Sequence, residues 1–272
     1  MLAIQGLKKQ LRGIRSTRKL TKAMRTVSTV KFSKLNAIYS EYSKYGKQCR
    51  KTCKQYGQFF LENIPATNPD APDLMIVMTS NKGLCGKFNA EILDFAEEEL
   101  MKKDSYLLVA CGKKAIHYFK TRKRDIEKAC VWGDIPTYEE SSALLEEIIA
   151  WRREGKVSRV YVIYSEYVNM MNQVPSISEL FSLESDDKGE MVLFLPDKST
   201  VNRNTATMVF RAMFYEYLLE TAFGAQAATL MTMRAAYDTA TEYFEELEKR
   251  INRIRQSAVT ADVIETSAEQ EE

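Results

Sequence analysis

Imidazole is nearly absent from this sequence: its 272 residues include a single histidine, His117. Five irregularly spaced cysteines (Cys49, Cys53, Cys85, Cys111, Cys130) and no Cys-x-x-Cys pair complete the supply of soft ligands. A structural zinc centre, which needs four such ligands at close spacing, has no candidate set here. Five thiols are also too few for a disulfide framework, so a reducing compartment is expected. Cys49 and Cys53, four residues apart, are expected on one helix face as small buried thiols. No run of eighteen or more apolar residues appears, which leaves no helix able to span a bilayer. The opening residues lack the compact apolar block and small-residue cleavage site of a secretory signal. Proline is missing from Leu2 to Leu61, and again from the end of the loop LPDKSTVNRN to the last residue. Acid is missing too: residues 1–60 carry fifteen Lys and Arg against Glu41 alone, whereas the last twelve carry five acids and no base. The net charge of +2 hides this split, which bears on partners rather than on fold.

What is present is ample apolar material, 45% of residues, in two distinct periodicities. In the first sixty residues apolar side chains recur at Leu7, Leu11 and Ile14, then at Leu20, Met24 and Val27. A stricter alternation of three and four follows through Leu35, Ile38, Tyr42, Tyr45, Cys49, Thr52, Tyr56 and Phe59, the seam of a left-handed coiled coil. At about 1.5 Å per residue, sixty residues reach roughly 90 Å, more than a globular helix needs. The three prolines of NIPATNPDAPD end the pattern. The last seventy residues mirror it, with a seam at Met233, Tyr237, Ala240, Phe244, Leu247, Ile251, Ile254 and Ala258. Two such helices at opposite ends of a chain are expected to pair antiparallel. Setting residue 7 against about residue 255 brings Tyr42 and Tyr45 near Leu219 and Ala222, so that large rings meet the small-residue stretch AFGAQAA.

Between them the period changes. DLMIVMTS, SYLLVACG and RVYVIYSEYV are short runs rich in β-branched and aromatic residues, separated by the helical patterns KFNAEILDFAEEELMKK and TYEESSALLEEIIAWRREG. That alternation predicts a mostly parallel sheet in a Rossmann-like α/β domain. QVPSISELFSL and GEMVLFLP read as a further strand pair joined through SDDKG. The expected organisation is therefore a coiled-coil helix over 1–62, a central α/β domain over 70–197, a second coiled-coil helix over 203–260 and an acidic tail over 261–272.

Two short motifs invite a catalytic or phosphate-binding reading, and neither has the chemistry for it. Gly83-Leu84-Cys85-Gly86-Lys87-Phe88-Asn89 follows a strand and precedes a helix, where a phosphate-cradling loop would lie. A P-loop, however, has four residues between its glycines and a Ser or Thr after its lysine. Gly83 and Gly86 are instead expected to permit a tight strand-to-helix turn, and the CGKK of 111–114 fails for the same reasons. His117, in the helical stretch KKAIHYFK, is expected to be packed or at the surface. No nucleophile stands beside a base, and the acids lie in solvated runs such as EEEL and EELEKR, so no catalytic residues are assigned.

Three stretches carry a resemblance. Ser16-Thr17-Arg18-Lys19-Leu20-Thr21-Lys22-Ala23-Met24, with Val27 and Lys31, resembles the opening helix of the γ subunit of F-type ATP synthases. Gly83-Leu84-Cys85-Gly86 with Asn89 is similar to that family's central signature. Met231-Thr232-Met233-Arg234-Ala235-Ala236-Tyr237-Asp238-Thr239-Ala240, followed by Arg255-Gln256-Ser257-Ala258-Val259-Thr260, is similar to its C-terminal stretch. The match covers about the first forty and last fifty residues well, and the rest of the middle in architecture. Lys87, Gly224-Ala225-Gln226, Thr229, Thr239 and the acidic tail depart from the family pattern and mark a divergent member. No cysteine-bearing insert of the chloroplast type is evident, so thiol control of rotation is not expected.

The resemblance implies a non-catalytic central shaft, standing inside a ring of α and β subunits, with its α/β domain against a membrane-embedded c ring and the ε subunit. ATP, ADP and Mg would be held by the partner subunits, with no cofactor or metal on this chain and no nucleic acid among its partners. Lys22, Met24, Arg255, Gln256 and Thr260 are the implied contacts with the α/β ring. Pro196 and Asp197 are the implied foot near the c ring. A bacterial protein, peripheral on the cytoplasmic side of the inner membrane, is expected. The alternative is a static coiled-coil scaffold or a basic nucleic-acid-binding arm, which salt-sensitive binding to duplex DNA or RNA would reveal.

Overall fold

The computed structural model describes residues 2–61, 68–182 and 198–269. Helix α1 runs over Leu2–Leu61 and helix α5 over Lys198–Glu269. Neither contains proline, and the alanines and glutamates of the final stretch are good helix formers, so α5 continues beyond residue 260 into the acidic tail. The chain divides into two compact units, residues 1–30 with 230–272 and residues 31–229.

The larger unit is built on a five-stranded sheet, made of β1 (Asp73–Met78), β2 (Tyr106–Cys111), β3 (Lys128–Cys130), β4 (Val160–Asn169) and β5 (Asn172–Glu179) in the order β3-β2-β1-β4-β5. The first four strands are parallel, and β5 returns antiparallel from β4. β3 has three residues, too few to leave a periodic signature in the sequence. The strand expected at GEMVLFLP lies outside the described residues, and QVPSISE pairs with β4 instead. The connecting helices are α2 (Phe88–Met101), α3 (Lys113–Thr121) and α4 (Tyr138–Arg153). Thr137 starts α4 with a capping box: its hydroxyl accepts from the Glu140 amide, and the Glu140 carboxylate accepts from the Thr137 amide.

A sheet covered on both faces needs strands with continuous apolar runs, and Leu74 to Met78 of β1, all buried, meet this. Met75 and Val77 face Phe88, Ile92 and Phe119 of α2 and α3. Leu74, Ile76 and Met78 face the other way, into a larger cluster with Leu145 and Ile148 of α4, Leu35 of α1 and Phe210, Phe214 and Phe223 of α5. Phe223 is the hub of an aromatic group, stacked on Phe32 at 4.8 Å and on Tyr39 at 5.1 Å and tilted against Tyr167 at 4.4 Å. The small residues of AFGAQAA face the sheet and α2: a Cβ on Gly224 would come within 3.2 Å of Phe88, 3.3 Å of Gln173 and 3.6 Å of Ser165. The close approach they permit is therefore of α5 to the strands. The ring of Tyr42 packs on Tyr215 at 4.7 Å, and its hydroxyl donates to the Ala212 carbonyl at 3.3 Å.

Polar groups enter this core on α5. A Cβ on Gly46 would come within 2.4 Å of the buried Glu216 carboxylate, which would have to shift to admit it. One turn on, Glu220 accepts a hydrogen bond from the Tyr39 hydroxyl at 2.8 Å. Burial, with the neighbouring Glu216 and Glu166 charges, outweighs that bond and pushes the Glu220 carboxyl up from 4.5 to about 7. A carboxyl raised on folding is held protonated by the native state while the unfolded chain ionises, so stability falls as pH rises between about 4.5 and 7 and levels off above. Glu220→Gln should remove that slope and stabilise the chain above neutrality by about 1–3 kcal/mol. Urea midpoints measured across this range check it, and a variant that keeps the wild-type slope would contradict the assignment.

Candidate functional site

The smaller unit pairs the start of α1 with the end of α5. Arg18 lies over the Phe244 ring at 4.2 Å, with Arg15 at 5.4 Å, and Arg25 over the Tyr237 ring at 5.3 Å. Seven residues forward on α1 correspond to seven back on α5, which is the antiparallel register expected from pairing residue 7 with residue 255. On the α5 side the sequence reading of the seam holds: Met233, Ala240, Phe244 and Leu247 are buried, and Tyr237, Ile251 and Ile254 half-buried, although Ala258 is exposed.

On α1 the seam differs from expectation. Leu20 is 61% exposed and Val27 55%, whereas Thr21 is 7% exposed and Ser28 5%. The strict spacing of four and three passes through Leu7, Leu11, Ile14, Arg18, Thr21, Arg25, Ser28, Phe32 and Leu35, so its middle is polar. Three of these polar residues, Arg18, Thr21 and Arg25, have a reason to be tolerated. The Thr21 hydroxyl donates to the Thr17 and Arg18 carbonyls at 3.0 and 3.1 Å, and the two arginines place their guanidinium groups over aromatic rings of α5. Leu20, Ala23, Val27 and Val30, spaced three, four and three, form a second apolar stripe on the outside of the pair, where all four are exposed. An apolar stripe facing out beside a polar one facing in is the pattern of a surface meant for a partner. Apolar periodicity alone points Leu20 and Val27 inward; the sequence signal against this is that the heptad from Ile14 to Leu35 passes through Thr21 and Ser28, one residue away from them.

Among the residues singled out by sequence, Lys22 is exposed and Met24 half-buried, next to this outer stripe. Arg255, Gln256 and Thr260 are exposed on α5, where the Thr260 hydroxyl donates to the Gln256 carbonyl at 3.0 Å. The register sets these three opposite the beginning of α1, so the two groups form separate patches on the coil, roughly 20 Å apart along its axis. Pro196 and Asp197 lie outside the described residues.

In the larger unit, the loop after β1 is closed on itself. Asn89 accepts from the Ser80 amide at 3.0 Å and donates to the Lys82 carbonyl at 3.4 Å and the Cys85 sulfur at 3.0 Å. Gly86 has φ 58°, the left-handed conformation glycine is suited to, and so does Leu84 at φ 65°. Gly83 is not so constrained, since a Cβ there would meet only the Lys114 side chain at 3.6 Å. At Gly112, by contrast, φ is 93° and a Cβ would sit 2.2 Å from the Thr79 carbonyl oxygen. The amides that open α3 are already used: Lys113 donates to Asn81, Lys114 to the Ser80 carbonyl and Ala115 to the Thr79 hydroxyl. A phosphate would find none of them free. Asp134 anchors the same region by accepting from both Lys31 and Lys82, the latter at 2.6 Å, which holds its carboxyl below the usual range. His117 is exposed on α3. Among the described residues no group of His, Cys, Asp or Glu could hold a metal ion, and no helix is long and apolar enough to cross a membrane.

An antiparallel pair of terminal helices with an outward apolar stripe, and a five-stranded α/β sheet between them in sequence, make up the architecture of a stalk-type subunit. The chain belongs to the ATP synthase family, whose family model matches residues 3–268, and within it to the gamma chains of F-type enzymes. It is 28% identical to the ATP synthase gamma chain of Clostridium acetobutylicum over 206 residues, covering 74% of this chain and 72% of that one. It is 31% identical to that of Desulforudis audaxviator over 209 residues, covering 70% of each. Among solved structures, the rotor of the Euglena gracilis mitochondrial ATP synthase shares the fold at TM-score 0.65 and 15% identity, over 94% of this chain and 99% of that one. A chain of the OSCP/F1/c-ring assembly from the same organism matches at TM-score 0.68 and 15% identity, over 98% and 93%. The protein is thus the central stalk of an ATP synthase, a membrane-associated complex.

The inverted amphipathicity makes a prediction for the isolated chain. Val27→Ser should change its stability by no more than about 0.5 kcal/mol, as for other exposed positions. Phe244→Ala, which empties the seam beneath two arginines, should cost about 3 kcal/mol or more. Urea denaturation compares the two, and a Val27→Ser cost approaching that of Phe244→Ala would show that the stripe belongs to the seam.

Proposed function

We propose that the stalk transmits torque by presenting different faces of one asymmetric coiled coil to the α and β subunits around it. The observation that carries this is the outer stripe of Leu20, Ala23, Val27 and Val30, flanked by the exposed Lys19 and Lys22. A sleeve of partner subunits would cover the apolar stripe, and the basic flanks suit acidic segments on β. Each rotational position then favours a different conformation at each β site, because the contacts made there differ. Lys22 and Met24 form one contact region with the ring, and Arg255, Gln256 and Thr260 the other. Gly83 and Gly86 serve the turn that carries Leu84, an exposed leucine held in a left-handed conformation.

The α/β domain would meet the c ring and the ε subunit, with Pro196 and Asp197 at the foot. ATP, ADP and Mg bind to the α and β subunits, and this chain performs no covalent chemistry. Through the complex it is peripheral to the inner membrane on its cytoplasmic side. In this reading residues 1–62 and 203–260 act as the shaft, and residues 70–197 as the domain that meets the c ring. Nucleic acid is not a partner in this reading: the aromatic rings near the basic residues, Tyr237 and Phe244, are taken up within the coil.

Co-expression with the α and β subunits of the same organism tests the proposal. One copy of this chain should co-elute with them, and ATP turnover should be lost when it is omitted. Well-folded α and β subunits that assemble and turn over ATP equally well without the chain would overturn it.

A further inference from the structure

Cys111 and Cys130 occupy directly paired positions on β2 and β3, the edge strand of the sheet. Adjacent strands lie about 4.8 Å apart, within the span of about 4.4–6.8 Å that a disulfide bridges between Cα atoms. In a parallel pair, residues in register point to the same face, and both thiols face the large cluster beneath α4. The backbone around them is fixed: the Gly112 amide donates to the Cys130 carbonyl at 2.8 Å, and the Thr79 amide to the Cys111 carbonyl at 2.9 Å. Cys111 is fully buried, whereas Cys130 is half-buried at the sheet edge, and both are free thiols. A reagent from solution would therefore reach Cys130 first and Cys111 only through it.

The electrostatics divide the roles the same way. A hydrogen bond from the Cys111 thiol, aided by the charge of Lys128, lowers the Cys130 thiol below its ordinary value, against the opposing effects of burial and Glu147. Burial raises Cys111 well above its own. An accessible, acidified thiol backed by a buried partner is the arrangement of an attacking and a resolving cysteine.

We propose that Cys130 and Cys111 form a dithiol couple that closes to a cross-strand disulfide on reaction with a small-molecule disulfide such as oxidised glutathione. The Cys130 thiolate attacks one glutathione sulfur, forming a mixed disulfide and expelling a glutathione thiolate. Cys111 then attacks the Cys130 sulfur and releases the second glutathione, its proton passing to that leaving thiolate. Two protein thiols lose two electrons and two protons, and one glutathione disulfide becomes two glutathiones. The bond would tie the edge strand covalently to β2. The couple is a property of the sheet itself and does not depend on the stalk role.

The test equilibrates the full chain with oxidised glutathione, quenches by alkylation and maps peptides without reduction. The expected product is a linked Cys111–Cys130 peptide lighter by two hydrogens and restored by dithiothreitol. In the reduced chain, alkylation of Cys130 should be about tenfold or more faster than of Cys111. Cys111→Ser should stop the reaction at a glutathione adduct on Cys130, and Cys130→Ser should leave Cys111 unmodified. Cys111→Ala replaces Cys111→Ser if the latter does not fold. A wild-type chain that retains the adduct on Cys130, stays reduced, or links Cys130 to another cysteine would overturn the proposal.

Discussion

The stacking of Arg18 and Arg25 on Phe244 and Tyr237 is the interaction on which the reading of the coil depends. A coiled-coil seam ordinarily spends its leucines and valines on itself. Here guanidinium groups and hydroxyls occupy the middle of the α1 seam, and the rings of α5 supply the packing surface that makes this tolerable. Each such contact is worth about 0.5–2 kcal/mol depending on how dry it is, less than an aliphatic pair would provide. What is gained is freedom on the outside, where Leu20, Val27 and Val30 need not hold the helices together and can face a partner. Arginine also suits a seam that must stay rigid in a wet setting, since its charge is weakly hydrated and its planar head stacks.

In the larger unit a different interaction fixes the helices. Phe223 gathers Phe32 and Tyr39 of α1 and Tyr167 of β4, and the glycine and alanines around it bring α5 close to the strands. Two carboxyls one turn apart on α5 lie in this core at some cost, Glu216 buried and Glu220 half-buried against Tyr39. Glu216 is accommodated because Gly46 leaves space for it, so the glycine that weakens α1 locally has a packing purpose. Aromatic packing and buried acids thus take over where the cation–π seam of the smaller unit is absent.

Much of this was legible in the sequence. The two long helices follow from the absence of proline, and β1, β2 and β4 from their runs of branched and aromatic residues. The antiparallel register of the smaller unit agrees with the one expected, because the seam of α5 is conventionally apolar. Legibility failed where side-chain chemistry departs from the rule that apolar means inward. Leu20, Met24 and Val27 were assigned to the seam, although the heptad itself pointed to Thr21 and Ser28. The three-residue β3 left no periodic trace, and the pairing of Cys111 with Cys130 depends on a strand register that spacing alone does not give. The small residues around Gly224 were expected to receive the rings of Tyr42 and Tyr45; Gly224 instead admits Phe88, Gln173 and Ser165, while Tyr42 packs on Tyr215. Lys22, Arg255, Gln256 and Thr260 come from the resemblance rather than from periodicity, and all four are exposed.

The central claim is that this chain turns within its partners. The most direct measurement attaches a bead through a biotin at Met101, which is 75% exposed at the end of α2, in complexes immobilised by their β subunits. During ATP hydrolysis the account predicts stepwise rotation of the bead in one sense, abolished by cross-linking the chain to a β subunit. Complexes that hydrolyse ATP at full rate while the bead stays fixed would contradict it.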